Sequence, residues 1–126
     1  VSEVYSDTSA LVALAFGERG AKAIARDLES ATAVYSSNLL EAEFRSVLLR
    51  EGVENGSLLE PIHWVVPDRP LSREFARVLE VGYVRGADLW HLACALFVEP
   101  EPLELVFLTL DKRQRAVARD LGFPTS

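Results

Sequence analysis

A chain of 126 residues with 49% apolar and 25% charged residues has the size and composition of one globular domain that buries a core without disulfide staples. Its formal net charge of −6 argues against wrapping nucleic acid electrostatically, although a bound divalent cation can invert the sign of a local acidic site. No apolar run approaches the roughly 18 residues of a membrane span, no signal peptide is legible, and the single Cys94 favours a reducing compartment. A cytoplasmic location without membrane association is the expectation.

The chain opens with a short buried strand over 4–6 that ends at Asp7, and helical spacing runs from 9 to 16. Asp7 therefore stands at the carboxyl end of a strand, where open α/β sheets place their chemistry. It is also a favoured helix N-cap, so by itself it carries no function. A helix follows over 21–28 and a second strand over 33–35, after which Ser36 or Ser37 can cap the next helix.

That helix, over 38–55, places Leu39, Leu40, Phe44 and Val47 on one apolar face, with Glu43 between them and Glu41 at its edge. A carboxylate inside a core-facing stripe needs a partner. An arginine such as Arg45 or a metal ion both satisfy that need. Residues 62–66 read as a strand or extended linker, and 71–81 as a helix. His63 has no acidic neighbour at ligand spacing.

The helix over 87–98 is apolar nearly all round and belongs in the interior. Asp88 lies in its first turn, where the helix dipole also favours an anion. His91, one turn on, reads as a hydrogen-bonded packing residue and Cys94 as a buried thiol. Residues 105–109 form the clearest strand, buried on both faces. Asp111 follows, then a helix over 112–121, repeating the strand–acid–helix order of Asp7. Gly122 is a natural helix stop, and 123–124 start a short last strand.

Alternation of strands and helices predicts an α/β fold with three α/β/α layers around a central, mainly parallel sheet, as one domain over 1–126. Short right-handed connections can collect Asp7, Glu43, Asp88 and Asp111 on one rim. Four acids in one cleft repel unless a cation neutralises them, and Mg²⁺ or Mn²⁺ suits hard oxygen ligands. Such a cation equips a site for phosphodiester hydrolysis. Arg45, Lys112 and Arg113 are candidate contacts to substrate phosphates, and each reads equally as a surface charge or a salt-bridge partner.

The segments Ser6-Asp7-Thr8-Ser9-Ala10-Leu11, Ala42-Glu43-Phe44-Arg45, Arg85-Gly86-Ala87-Asp88-Leu89-Trp90-His91-Leu92-Ala93 and Leu108-Thr109-Leu110-Asp111-Lys112-Arg113 resemble the PIN-domain family, most of all the VapC toxins of toxin–antitoxin pairs. The resemblance spans about residues 4–124. It implies a PIN-like fold and a Mg²⁺- or Mn²⁺-dependent endoribonuclease with Asp7, Glu43, Asp88 and Asp111 as catalytic, metal-binding acids. It implies supporting hydroxyls at Thr109 and Ser9, an RNA substrate, a homodimer and a cognate antitoxin that holds the enzyme inactive. Leu110 departs from the small or polar residue frequent there, which fits if it packs inward. Two other readings compete. One is a PIN-like binding scaffold without catalysis. The other is a phosphoacceptor receiver module, which wants an acid pair after the first strand and a lone Asp after a middle strand; neither is present.

Overall fold

Period-two alternation of apolar side chains along four short strands sets the architecture. A computed structural model describes residues 2–125. In order, the elements are β1 (Glu3–Ser6), α1 (Thr8–Phe16), α2 (Ala21–Ser30), β2 (Ala33–Ser37), α3 (Asn38–Glu51), a 3-10 turn (Gly56–Leu59), β3 (Ile62–Val65), α4 (Ser72–Val81), α5 (Gly86–Val98), β4 (Val106–Leu108) and α6 (Lys112–Leu121). The sheet order is β3-β2-β1-β4, and all three strand pairs are parallel, with Val4 opposite Val34 on one side and Val106 on the other.

Successive residues of a strand point to opposite faces, and the core divides accordingly. Val4, Val34, Ile62 and Leu108 pack with Leu11, Ile24, Leu40 and Phe44 from α1, α2 and α3. Tyr5, Val65 and Phe107 pack with Val78, Leu92, Leu96 and Val117 from α4, α5 and α6. These are the three expected α/β/α layers. β1 and β4, side by side in the middle and at one edge of the sheet, end together; Asp7 alone separates β1 from α1, and Thr109, Leu110 and Asp111 separate β4 from α6. The amide of Asp7 donates to the Leu108 carbonyl at 3.0 Å, which aligns the two carboxyl ends.

Several boundaries move. The third helix ends at Glu51 rather than 55, because Gly52 takes the left-handed conformation (φ 63–65° is shared with Gly17 after α1; here φ is 65) and its amide closes back on Leu48 and Leu49. The 3-10 turn over Gly56–Leu59 follows after three irregular residues, too short to show a period. The expected strand or linker over 62–66 is the edge strand β3 over Ile62–Val65. The expected strand over 105–109 is regular only over Val106–Leu108. The expected strand over 123–124 reduces to a single parallel bridge between Phe107 and Thr125. Leu110 does pack inward: it joins the core of α1 to α3 and lies against Gly20, where a Cβ would meet its Cδ2 at 3.0 Å.

Candidate functional site

Asp7 and Asp111 are both helix N-caps, and their surroundings differ. The Asp7 Oδ1 accepts from the Ala10 amide at 3.0 Å and the Ser9 hydroxyl at 2.8 Å. Its Oδ2 accepts from Thr109 Oγ1 at 2.5 Å. Asp7 is only 3% exposed. Burial pushes its carboxyl up to about 6 against the pull of those donors, and the nearby Asp88 charge adds to the rise. Asp111 is exposed; its Oδ1 caps α6 by accepting from the Gln114 amide at 2.8 Å, and its own amide donates to Thr109 Oγ1 at 3.0 Å. Thr109 thus ties the two acids together.

Helical phase decides which acid of α3 enters the cleft. Leu40, Phe44 and Leu48 form the buried row. Glu43 lies on the adjoining half-buried row with Leu39 and Val47, and its Oε1 accepts from Thr8 Oγ1 at 2.6 Å. Glu41 turns away and pairs with Arg45 at 2.9 Å and the Asn38 amide at 3.1 Å. From α5 comes Asp88, in the first turn. Burial raises its carboxyl, Asp111 and Glu43 raise it further, and the Arg85 guanidinium pulls it back.

Asp7, Glu43, Asp88 and Asp111, with Thr8, Ser9, Ala87 and His91, line one hollow of about 210 Å³ at the carboxyl ends of β1 and β4. A larger apolar groove of about 370 Å³ lies elsewhere, between α1, α2 and β2–β3, and its one ionisable lining residue is Glu29. Among the described residues, none of the four acids has a cationic partner within 4.0 Å. Their donors are all hard carboxylate oxygens, which suit Mg²⁺ or Mn²⁺. As they stand, no three His, Cys, Asp or Glu side chains among the described residues are close enough to enclose a cation. The fit is one of donor chemistry and placement, and side-chain rotation would be needed to close a shell.

Ser9 and Thr109, the two supporting hydroxyls, both contact Asp7. The three basic candidates are not brought together. Arg45 is bound to Glu41 and lines a shallow groove with Trp64, outside the acidic hollow. Lys112 and Arg113 are exposed in the first turn of α6, and Arg113 reaches the Tyr83 carbonyl at 3.5 Å. His63 is exposed on β3 beside the Tyr35 ring. Cys94 is buried, which pushes its thiol up to about 12.

Three residues at the site were not singled out from sequence. Thr8 contacts Glu43. Buried Gln114 is bonded to Thr109 Oγ1 at 3.1 Å and donates to the Asp88 carbonyl at 3.2 Å, so it joins α6 to α5. Arg85 offsets part of the rise that burial and Asp111 impose on the Asp88 carboxyl. A signal existed for two of them: Thr8 follows a capping acid, and Gln114 stands three residues after one, where its side chain can reach back.

No curated protein sequence matches the chain. Among solved structures, a chain of VapBC-1 from nontypeable Haemophilus influenzae is similar at a TM-score of 0.70 with 16% identity, covering 98% of this chain and 96% of that one; at that identity the likeness is one of fold. The PIN domain family model matches residues 4–120. That span runs from the strand ahead of Asp7 into the helix that Asp111 caps, and the chain belongs to the PIN domain family.

Proposed function

We propose that the protein is a divalent-metal-dependent endoribonuclease and the toxin of a type II toxin–antitoxin module. The observation that carries this reading is the gathering of four carboxylates, without a cationic partner among the described residues, in one hollow at the carboxyl edge of a parallel sheet. Asp7, Asp88 and Asp111 would hold Mg²⁺ or Mn²⁺, with Glu43 completing the set directly or through water. When bound, such a cation activates a water for in-line attack at phosphorus and stabilises charge on the leaving oxygen. Family membership and the fold likeness to VapBC-1 support nuclease activity and the toxin role. An antitoxin partner, a homodimer and a cytoplasmic location belong to the same proposal.

The chain's own residues do the positioning. Thr109 and Ser9 hold the Asp7 carboxylate by its two oxygens, Gln114 fixes the first turn of α5 on which Asp88 rides, and Thr8 orients Glu43. Lys112 and Arg113, next to Asp111, are placed to meet RNA phosphates at the rim, and Arg85 to meet them near Asp88. Arg45 is a less direct contact because Glu41 occupies it.

The test is calorimetric Mn²⁺ binding by wild type and Asp88→Asn, with circular dichroism as the fold control, followed by cleavage of single-stranded RNA by wild type and Asp7→Asn. Binding and cleavage by wild type, both lost in the folded variants, is the expected result. Metal-dependent cleavage that survives in pure Asp7→Asn protein would overturn the assignment. Binding without any RNA hydrolysis would favour the silent-scaffold reading.

A further inference from the structure

One hydrogen-bonded line of side chains leads from the core into the acidic hollow. Tyr5 Oη lies 2.9 Å from His91 Nδ1. His91 Nε2 lies 3.2 Å from Thr8 Oγ1. Thr8 Oγ1 lies 2.6 Å from Glu43 Oε1. Tyr5 is fully buried and His91 is 2% exposed. The Tyr5 ring is held between the stacked Phe107 ring at 5.5 Å and the edge of the His91 ring at 5.7 Å.

The chemistry of the four groups allows only one direction. The Thr8 hydroxyl gives its single proton to Glu43 Oε1. With that proton used, Thr8 Oγ1 can meet His91 only as an acceptor, and Nε2 must carry a hydrogen. A neutral imidazole with Nε2–H has a bare Nδ1, which accepts from the Tyr5 hydroxyl. Burial keeps the ring neutral, pushing its pKa down to about 4. Every donor in the line points toward Glu43.

We propose that Tyr5, His91 and Thr8 form a one-way donor relay that positions the Glu43 carboxylate, with His91 locked as the Nε2–H tautomer. The relay deepens the proposed function, since it rests on Glu43 serving the cation site. His91 and Asp88 are three residues apart on α5 and share a face. That helix therefore supplies one acid of the hollow directly and steadies a second through His91 and Thr8. These are positioning residues: none of the three contributes a carboxylate, and a buried, satisfied network of this kind holds its terminal group in one geometry.

Two measurements on the intact chain test it. The first is the His91 tautomer, read from long-range ¹⁵N–¹H correlations at neutral pH. Nε2–H is expected, and Nδ1–H or an imidazolium overturns the relay. The second is calorimetric Mn²⁺ affinity. Thr8→Val should weaken it about tenfold or more, the usual cost of removing a partner behind a ligand. Thr8→Ser, which keeps the hydroxyl, and His91→Gln, whose amide nitrogen reaches the Nε2 position, should stay within about threefold of wild type on the same scale. A folded Thr8→Val that binds like wild type overturns the proposal. Should that variant not fold, the comparison passes to His91→Gln against His91→Asn, whose shorter amide reaches only the Nδ1 position, and equal affinities overturn it. If wild type itself binds no Mn²⁺, the reading of the hollow as a cation site fails, and the relay is then decided by the tautomer alone.

Discussion

Thr109 Oγ1 donates to Asp7 Oδ2 at 2.5 Å across 102 positions of sequence, and the same oxygen accepts the Asp111 amide at 3.0 Å. One hydroxyl at the end of β4 therefore holds the acid that follows β1 and the acid that follows β4. Thr109→Val keeps the shape and removes both bonds together with the 3.1 Å contact to Gln114, leaving the Asp111 amide without its partner and the buried Asp7 carboxylate with one donor fewer. A loss of about 1–3 kcal/mol is expected, from the usual cost of stranding a buried polar group. Urea unfolding checks it. Thr109→Ser should recover most of the loss, and a Val variant as stable as wild type would count against the bridging role.

Asp88 feels Asp111 and Glu43 as well as burial, and its carboxyl is raised. An acid raised on folding contributes stability that is present below its unfolded pKa and lost as pH rises through the folded value. In chelator at pH 7.5, Asp88→Asn should therefore melt higher than wild type. The group is partly exposed and screened, so the gain is about 1–3 °C. Scanning calorimetry decides it, and a lower melting temperature for the variant would contradict mutual repulsion in the hollow.

Glu99 behaves in the opposite sense. Its Oε1 accepts the Leu103 and Glu104 amides at 2.6 and 2.9 Å, and its Oε2 the Leu105 amide at 3.1 Å. Partial burial opposes its ionisation, yet these three amides outweigh it and its carboxyl is lowered. A lowered acid contributes stability that is present above its unfolded pKa, about 4.3, and lost as pH falls through the folded value. Glu99→Gln should melt lower at pH 7, by about 1–2 °C because the group is partly exposed and screened, and the gap to wild type should narrow on acidification below about pH 4. A constant gap from pH 7 to pH 3 would show that the charge is not what organises the turn into β4.

Phe107 is the packing centre of β4, stacked on Tyr5 at 5.5 Å and tilted against Phe123 at 6.1 Å, with no exposed surface. Phe107→Ala should cost about 3–5 kcal/mol in denaturant unfolding. Because Phe107 also holds the Tyr5 ring, Phe107→Leu should cost less, with volume largely kept. A loss below about 1 kcal/mol for Phe107→Ala would mean that the core collapses around the gap.

The parts of the chain that were legible are those with a local cause. Asp7 and Asp111 follow apolar strand runs and precede helical spacing, and each caps the helix that follows it. Leu40 and Phe44 mark the inward side of α3, and Glu43 stands beside them in the apolar stripe; the hydrogen bond from Thr8 to Glu43 and the pairing of Glu41 with Arg45 separate the two acids. Apolar spacing continues to Val53 and so overshoots the end of α3, while the left-handed Gly52 stops the helix first. The 3-10 turn after it is too short to show a period.

By itself, the sequence determined the strand–acid–helix units, the layered α/β class and the apolar stripe of α3, because caps, periodicity and turn residues act over a few neighbouring positions. Only the tertiary structure decided that β1 lies next to β4, and hence that Asp7 and Asp111 share Thr109. It also decided that Tyr5, His91 and Thr8 line up behind Glu43, that Gln114 joins α6 to α5, and that Arg45 stays outside the hollow. Those relationships join residues far apart along the chain, and they depend on strand order and helix docking, which arise from burying two apolar sheet faces at once.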